Sequence, residues 1–553
     1  MSRLFAALAA ILLLGACEGG DIVIQPSTTD SSVDNSTNNS NNTNTTSTSE
    51  DNPCAVYEKD GSTFQGEQVG ANCVYSPSFV DAGNNLTVNL RIPSLPDDGA
   101  HIFEGSLFVG RTHDTDEGLA NAGISRGGDG PTLTVEAGAT LAFQSSADFL
   151  IVNRGSQLFA VGTREAPITF TSVSDIEGSV GAEDVQQWGG MVINGFGVTN
   201  KCDYTGSVSA GDLATSDCHV DAEGAAGLDE SQYGGDNNAD SSGRLEFVLV
   251  KHTGATVGNG DELNGISFGG VGSNTIVRNI EVYSTFDDGI EMFGGAVSFE
   301  NFVGLYVRDD AIDIDEGWSG TITNALVVQS ATDGNHCIEG DGIGSFDSLT
   351  ADEVEATISQ GINSRPTITG LTCIVSPNGA ATATHDPGAG WRLREGIFPT
   401  INDSMVIGSF GPDSGDSNYC LRVDNRSLQA AEDGDLAINT GIFACAEKTR
   451  GGSLPNGTSV EAWAAANGSV FADINGATDA TANANTDLQL LEGTPPVYSI
   501  DYTTMVVNGQ SPAGSPERGS AHVGGLSLGS ADWTAGWTYG IHEGNRAQPL
   551  WFE

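Results

Sequence analysis

The sequence predicts an all-β solenoid, a parallel β-helix with variable loops and one short helix. Three observations carry that expectation. Glycine supplies 74 of the 553 residues, twice its usual share of about 7%, and glycines suit a chain that turns corners between short strands. β-Prone runs of three to six residues, such as Leu133–Glu136, Leu150–Asn153, Ile168–Thr171 and Met191–Asn194, are broken by Gly, Asn and Asp, while long amphipathic periodicity is nearly absent. The chain also repeats itself every 21–28 residues with two or three short strands per repeat, as a stacked coil requires.

The repeat is clearest in the centre. Asp287–Glu291 (DDGIE) and Asp309–Asp313 (DDAID) match at an offset of 22, which also carries Gly295 onto Gly317. Stepping back by 24, Asn264–Ser267 falls on Asp288–Glu291; stepping forward by 26, Ile312-Asp313 falls on Ile338-Glu339 and Asp315 on Asp341. Further on, Leu393-Arg394 and Leu421-Arg422 repeat an apolar–charged pair 28 apart, and a second strand set begins at Ile280, Leu305 and Leu326. Coils stacked about 4.8 Å apart would place Ile and Leu in an interior column. A β-sandwich would want tight hairpins and a propeller longer repeats, and neither pattern is evident.

From the N-terminus, Arg3 and the apolar run Leu4–Leu14 read as a secretory signal over residues 1–16, too short to span a bilayer. Leu14-Gly15-Ala16-Cys17 is similar to the bacterial lipobox, which implies acylation at Cys17 and a membrane partner reached through that lipid. Glu18 follows, with no aspartate beside the cysteine, and the resemblance to lipoprotein sorting signals implies the outer membrane. Residues 17–53 are rich in Ser, Thr and Asn and have almost nothing to bury, so they read as a disordered tether. Residues 54–130 repeat less and read as an N-terminal cap or small appended module, with the β-helix proper over 131–553. The one short helix is expected at Val460–Asn467, with Thr458 and Glu461 as a capping box and Gly468 as its stop.

Eight cysteines remain after Cys17: Cys54, Cys73, Cys202, Cys218, Cys337, Cys373, Cys420 and Cys445. An even number in an exported chain reads as disulfides; sequential pairing is the simplest of 105 connectivities.

The sequence resembles exported bacterial lipoproteins with a pectin-lyase-like fold, mostly of uncharacterised function. The resemblance rests on Thr163–Ser172, Trp188–Ile193, Tyr233–Gly235 with Asp240–Gly243, Asp287–Gly295, Asp309–Gly317 and the closing Asp532–Trp537. It implies a single-stranded right-handed parallel β-helix and says little of function, since that fold carries lyases, hydrolases, adhesins and stalks.

The chemistry gathers in the acidic repeat. The chain carries 73 acidic against 21 basic residues, net −52. That excludes nucleic-acid binding by phosphate neutralisation and favours metal cations as counterions. The offset of 22 stacks Asp287 on Asp309, Asp288 on Asp310 and Glu291 on Asp313, with Glu339 above and Asp315 and Glu316 beside them. Like charges about 5 Å apart repel by roughly 1 kcal/mol even in water. Two readings stay open: bridging calcium, which suits oxygen ligands, or a solvated acidic face. A weaker calcium candidate is Asp236, Asn238 and Asp240, at alternate positions but lacking the EF-hand glycine and terminal glutamate.

The expected role is binding or scaffolding of a polysaccharide or other surface component, with Trp318 and Trp391 either exposed platforms for sugars or buried caps. The alternative is a polysaccharide lyase or glycoside hydrolase. If a lyase, Arg394 or Arg422 would serve as base or charge stabiliser, although the repeat places them at least two coils from the acids. The GxSxG matches at Gly265–Gly269 and Gly525–Gly529 lack a following helix, and Ser267 is expected as the coil equivalent of Glu291. His336 is expected at the surface.

Overall fold

The computed structural model describes residues 52–81, 83–124, 127–224, 231–256, 262–378, 387–408, 419–445, 447–471, 499–501, 522–526 and 532–551. The signal peptide, Cys17 and all but the last two residues of the tether lie outside these.

The chain is a parallel β-helix. Ten strands form one uninterrupted parallel sheet: Leu107–Val109, Leu150–Val152, Met191–Asn194, Ile266–Gly269, Ile290–Phe293, Ile312–Asp315, His336–Asp341, Ala389–Arg394, Tyr419–Val423 and Glu447–Gly451. Alternate residues of each strand point inward, so Ile266, Ile290 and Ile312 stack as one interior column, continued by Ile338, Trp391 and Leu421. Burial of this column is the main reason the strands hold register.

The rest of each coil is a strand bent in the middle. Gly243–Thr253, Ile276–Thr285, Ser298–Leu305, Thr321–Val328 and Thr367–Ile374 pair side by side in parallel. Each turns its corner on one left-handed residue: Phe247, Asn279, Asn301, Asn324 and Gly370 have φ of 51°, 52°, 63°, 59° and 75°. Asparagine is among the side chains that tolerate this backbone best. The stacked amides also bond to one another, Asn301 Nδ2 donating to Asn279 Oδ1 at 2.9 Å and Asn324 Nδ2 to Asn301 Oδ1 at 3.0 Å.

The corners correct the expected register of this strand set. Ile280 pairs with Phe302 and Phe302 with Ala325, so Leu305 and Leu326 are not its coil equivalents. The arginine repeat is likewise shifted, Arg392 rather than Arg394 standing under Arg422. Residues 72–109 already belong to the ladders: Asn72–Tyr75 pairs in parallel with Ala100–Phe103, which pairs with Thr140–Phe143. A boundary at residue 131 therefore has no counterpart in the strand pairing; the antiparallel structure described at this end is the hairpin Val56–Lys59/Ser62–Gln65 and the pair Glu67–Val69/Asn72–Tyr75.

Helices are short but more numerous than the sequence suggested. Among the described residues they span Asp116–Ala122, Val173–Ile176, Ala351–Gln360, Arg426–Asp433 and Val460–Ala466. The last is capped by Ser459, not Thr458. The capping box lies instead at Thr350 and Glu353, ahead of Ala351–Gln360. The four disulfides are Cys54–Cys73, Cys202–Cys218, Cys337–Cys373 and Cys420–Cys445.

Residues 522–526 and 532–551 run over the outside of the bent strands. Val523, Leu526, Ile541 and Leu550 bury against Tyr283, Leu305, Leu326, Ile374 and Ile407, forming a second apolar layer outside the coil. Backbone carbonyls of Trp533 and Ala535 accept from Arg164, and Trp551 Nε1 donates to the Gln329 carbonyl at 2.9 Å.

Trp318 and Trp391 are wholly buried, which decides against the exposed sugar platforms. Trp391 fills the interior column and packs edge-on against Phe443; Trp318 Nε1 donates to the Val297 carbonyl at 3.0 Å. Trp391→Ala is therefore expected to cost about 3–5 kcal/mol in denaturant unfolding. A sugar platform would instead lose affinity at unchanged stability.

Candidate functional site

Side chains pointing out of the ten-stranded sheet form a column sorted by charge. Ser267, Glu291, Asp313, Glu339, Arg392, Arg422 and Arg450 follow one another coil by coil. In a neighbouring column Phe293 lies under Asp315, and Asp341 under Arg394. The expected stacking of Ser267, Glu291, Asp313 and Glu339 is thus what the strands adopt.

A third column runs just ahead of these strands and is held by its own side chains. Asn264 Oδ1 accepts from the Asp288 amide at 3.1 Å, and Asp288 Oδ1 from the Asp310 amide at 2.9 Å. Asp310 Oδ1 in turn accepts from the His336 amide at 2.5 Å. Each acid thereby satisfies a backbone N–H of the next coil, a local reason for acids at these positions. His336 is buried, correcting its expected surface position: Nδ1 lies 2.8 Å from Asp310 Oδ1 and Nε2 2.7 Å from the Tyr419 hydroxyl.

The columns bring carboxylates together. One set, Asp287, Asp288 and Asp309, and a second, Asp288, Asp310 and Asp313, each have ligand atoms within 4.8 Å of one another. A third joins Asp310 and Glu339 to His336. Burial, then neighbouring carboxylates, pushes Asp287, Asp288, Glu291, Asp310, Asp313 and Asp315 well above the usual carboxylate range. Asp313 Oδ1 is buried without a hydrogen-bond partner. The first two sets offer oxygen only, the donor type that hard divalent cations such as calcium take.

At the upper end the charge reverses. Burial opposes ionisation of Glu339, yet His336, Arg394 and Arg392 hold it below the usual range. Arg392 lies 2.9 Å from Glu339, while Arg394 forks onto Asp341 at 2.5 and 2.8 Å and reaches Glu339 at 3.2 Å. Arg392 and Arg394 thus sit one coil from Glu339 and Asp341 and directly on them, whereas Arg422 stands two coils beyond Glu339 as expected. Arg422 is turned to Asp424 at 2.5 Å. The carboxylates keep the Arg394 guanidinium charged, raising it above its ordinary value against the effect of burial. Arg394 therefore suits charge stabilisation and not proton abstraction.

Glu316 belongs elsewhere. Its carboxylate accepts from the Tyr233 hydroxyl at 2.5 Å and from Thr199 at 2.8 Å, tying a covering loop to the sheet. The weaker calcium candidates are spread over backbone amides: Asp236 accepts from Thr215, Asn238 from Val198 and Asp240 from Phe196. They act as turn and loop anchors. Sequence reasoning missed Asp341, Arg392 and Tyr419, and also Glu223, to whose carboxylate Asn264 Nδ2 donates at 3.1 Å while donating to Glu291 at 2.6 Å. Asp341 was signalled by its place in the repeat; Glu223 lies outside the repeat and had no signal.

Compared with known proteins, residues 122–538, most of the chain, match the family model described as a pectate-lyase-like β-helix domain. No curated protein and no solved structure gives a significant match.

Proposed function

Because the chain belongs to the pectate-lyase-like β-helix domain family, we propose that it is an envelope protein that binds or scaffolds polysaccharide, with its acidic columns bridged by calcium. The reading includes anchorage to the outer membrane through lipid on Cys17. The observation that carries it is the buried oxygen set of Asp288, Asp310 and Asp313, on which burial and other carboxylates are the largest influences. Asp287 and Asp309 extend the set toward one side, and Glu291, in the coil of Asp288, stacks on Asp313. A divalent cation offsets that repulsion and ties two adjacent coils together.

One observation favours an enzyme as the second reading. Glu339, held below the usual carboxylate range by His336 and two arginines, stands one coil from Asp313, which burial and neighbouring carboxylates push well above it. A charged and a neutral carboxyl side by side are the parts of a glycoside hydrolase, and Arg394 beside them could steady a uronate in a lyase.

The two readings separate when the protein is incubated with acidic and neutral polysaccharides, with calcium or with chelator. Calcium-dependent retention on a polysaccharide without new reducing or unsaturated ends is expected, and Asp313→Asn should abolish the calcium dependence. New ends would make the protein an enzyme; no retention on any polysaccharide would remove the glycan-binding role.

A further inference from the structure

On the bent strands rather than the ten-stranded sheet, a buried lysine and aspartate meet under the C-terminal segment. Lys251 is one of four lysines in the chain and sits on the Gly243–Thr253 strand. Its Nζ lies 2.7 Å from Asp175 Oδ2, the side chains being only 9% and 16% exposed. Thr171 Oγ1 donates to the same oxygen at 2.6 Å, and His252 Nε2 lies 3.5 Å from Asp175 Oδ1.

One coil further, Glu281 pairs with Leu249, two residues before Lys251 on the same face of the strand. Glu281 is wholly buried; Oε2 accepts from the Tyr539 amide at 2.7 Å and Oε1 has no hydrogen-bond partner. The Tyr539 ring closes the pocket, its centroid 4.1 Å from Lys251 Nζ and 4.9 Å from the Tyr283 ring. An amine, a carboxyl in contact with it and a second, unsatisfied carboxyl are therefore enclosed together, largely out of water.

We propose that Lys251 and Asp175 are joined by an intramolecular amide bond, formed with Glu281 as the proton carrier. The inference is independent of the calcium and polysaccharide readings. The amine lone pair forms the Nζ–Cγ bond and one Asp175 oxygen leaves as water. Glu281 first gives its proton to the Asp175 carboxylate and recovers one from the Lys251 ammonium, which frees the lone pair; it then gives a proton to the departing oxygen and takes one from the amine nitrogen, ending protonated as it began. Amine plus carboxylic acid gives amide plus water, with no oxidant or co-reactant.

The surroundings suit each role. In the unreacted pair His252 and Lys251 hold Asp175 below the usual range despite burial, so the reacting carboxyl has to receive a proton. Glu281 is the neighbouring group with one to give, since burial pushes its carboxyl up to about 8. Enclosure excludes the water that would favour hydrolysis, and contact between nucleophile and electrophile removes the cost of bringing them together. The bond would tie the coil of Ile168–Ser172 to the next, beneath the segment that carries Tyr539.

The test is a peptide map of the full chain, reduced, alkylated and digested with trypsin. Peptide 165–201 is expected joined to peptide 245–278, lighter than their sum by one water and uncleaved after Lys251. Recovery of 165–201 and 245–251 as separate peptides in full yield would show a plain ion pair and overturn the proposal. Glu281→Gln keeps an acceptor for the Tyr539 amide and should give separate peptides from a folded protein, checked by its thermal melt. A linkage that persists in that variant would overturn the role of Glu281.

Discussion

Arg394→Met is expected to lower the unfolding free energy by about 3–5 kcal/mol at neutral pH, the usual cost of removing one partner from a largely buried ion pair. Arg394 forks onto Asp341 and also reaches Glu339, and all three side chains are mostly shielded from solvent. Removing the guanidinium leaves two carboxylates beside Asp313 and Asp315, already crowded with like charge. Arg394→Lys should be intermediate, since an ammonium cannot present the fork that matches a carboxylate. The pH dependence follows from Glu339, whose folded pKa is depressed. Its contribution is present above the unfolded value and is lost as pH falls through the folded one. Denaturant unfolding of both variants should therefore converge on the wild type in acid; an equal loss at every pH would point to packing.

The acidic columns were legible because adjacent coils carry nearly the same words, DDGIE and DDAID, at a spacing that one strand and its corners fix. The arginines were misplaced for a physical reason. Side chains alternate across a strand, so a slip of two residues keeps every apolar residue inside and every charge outside. Matching Leu-Arg to Leu-Arg could not distinguish an offset of 28 from the observed 30; the bulk of Trp391 over Leu421 decides it. In the bent strands the signal was present but unread. Asn279, Asn301 and Asn324 recur at the left-handed corners and mark the register that Leu305 and Leu326 obscured. His336 looked like a surface residue because nothing local shows that it continues the column of Asn264, Asp288 and Asp310. The helix Ala351–Gln360 carried its capping box at Thr350 and Glu353 in plain sequence. The Lys251–Asp175 contact spans 76 residues and two coils, with no repeat to announce it.

The second large effect concerns the acidic columns with and without cation. Asp288, Glu291, Asp310 and Asp313 have folded pKa values raised above their unfolded ones. Their contribution to stability is fully present below the unfolded values, near 4, and is lost as pH rises through the folded ones. Without cation they therefore weigh more heavily against the fold the further pH rises above those unfolded values. Calcium acts where that burden is greatest, because it needs deprotonated oxygens. At a calcium concentration about a hundredfold above Kd, binding to the folded state adds about 2.7 kcal/mol. Melting curves in calcium and in chelator, from about pH 8 to about pH 5, measure this increment directly. The increment should be largest at the alkaline end, shrink toward zero in acid, and be abolished by Asp313→Asn. Identical curves with calcium and chelator at the alkaline end, or an increment untouched by Asp313→Asn, would contradict the proposal that these columns bind calcium.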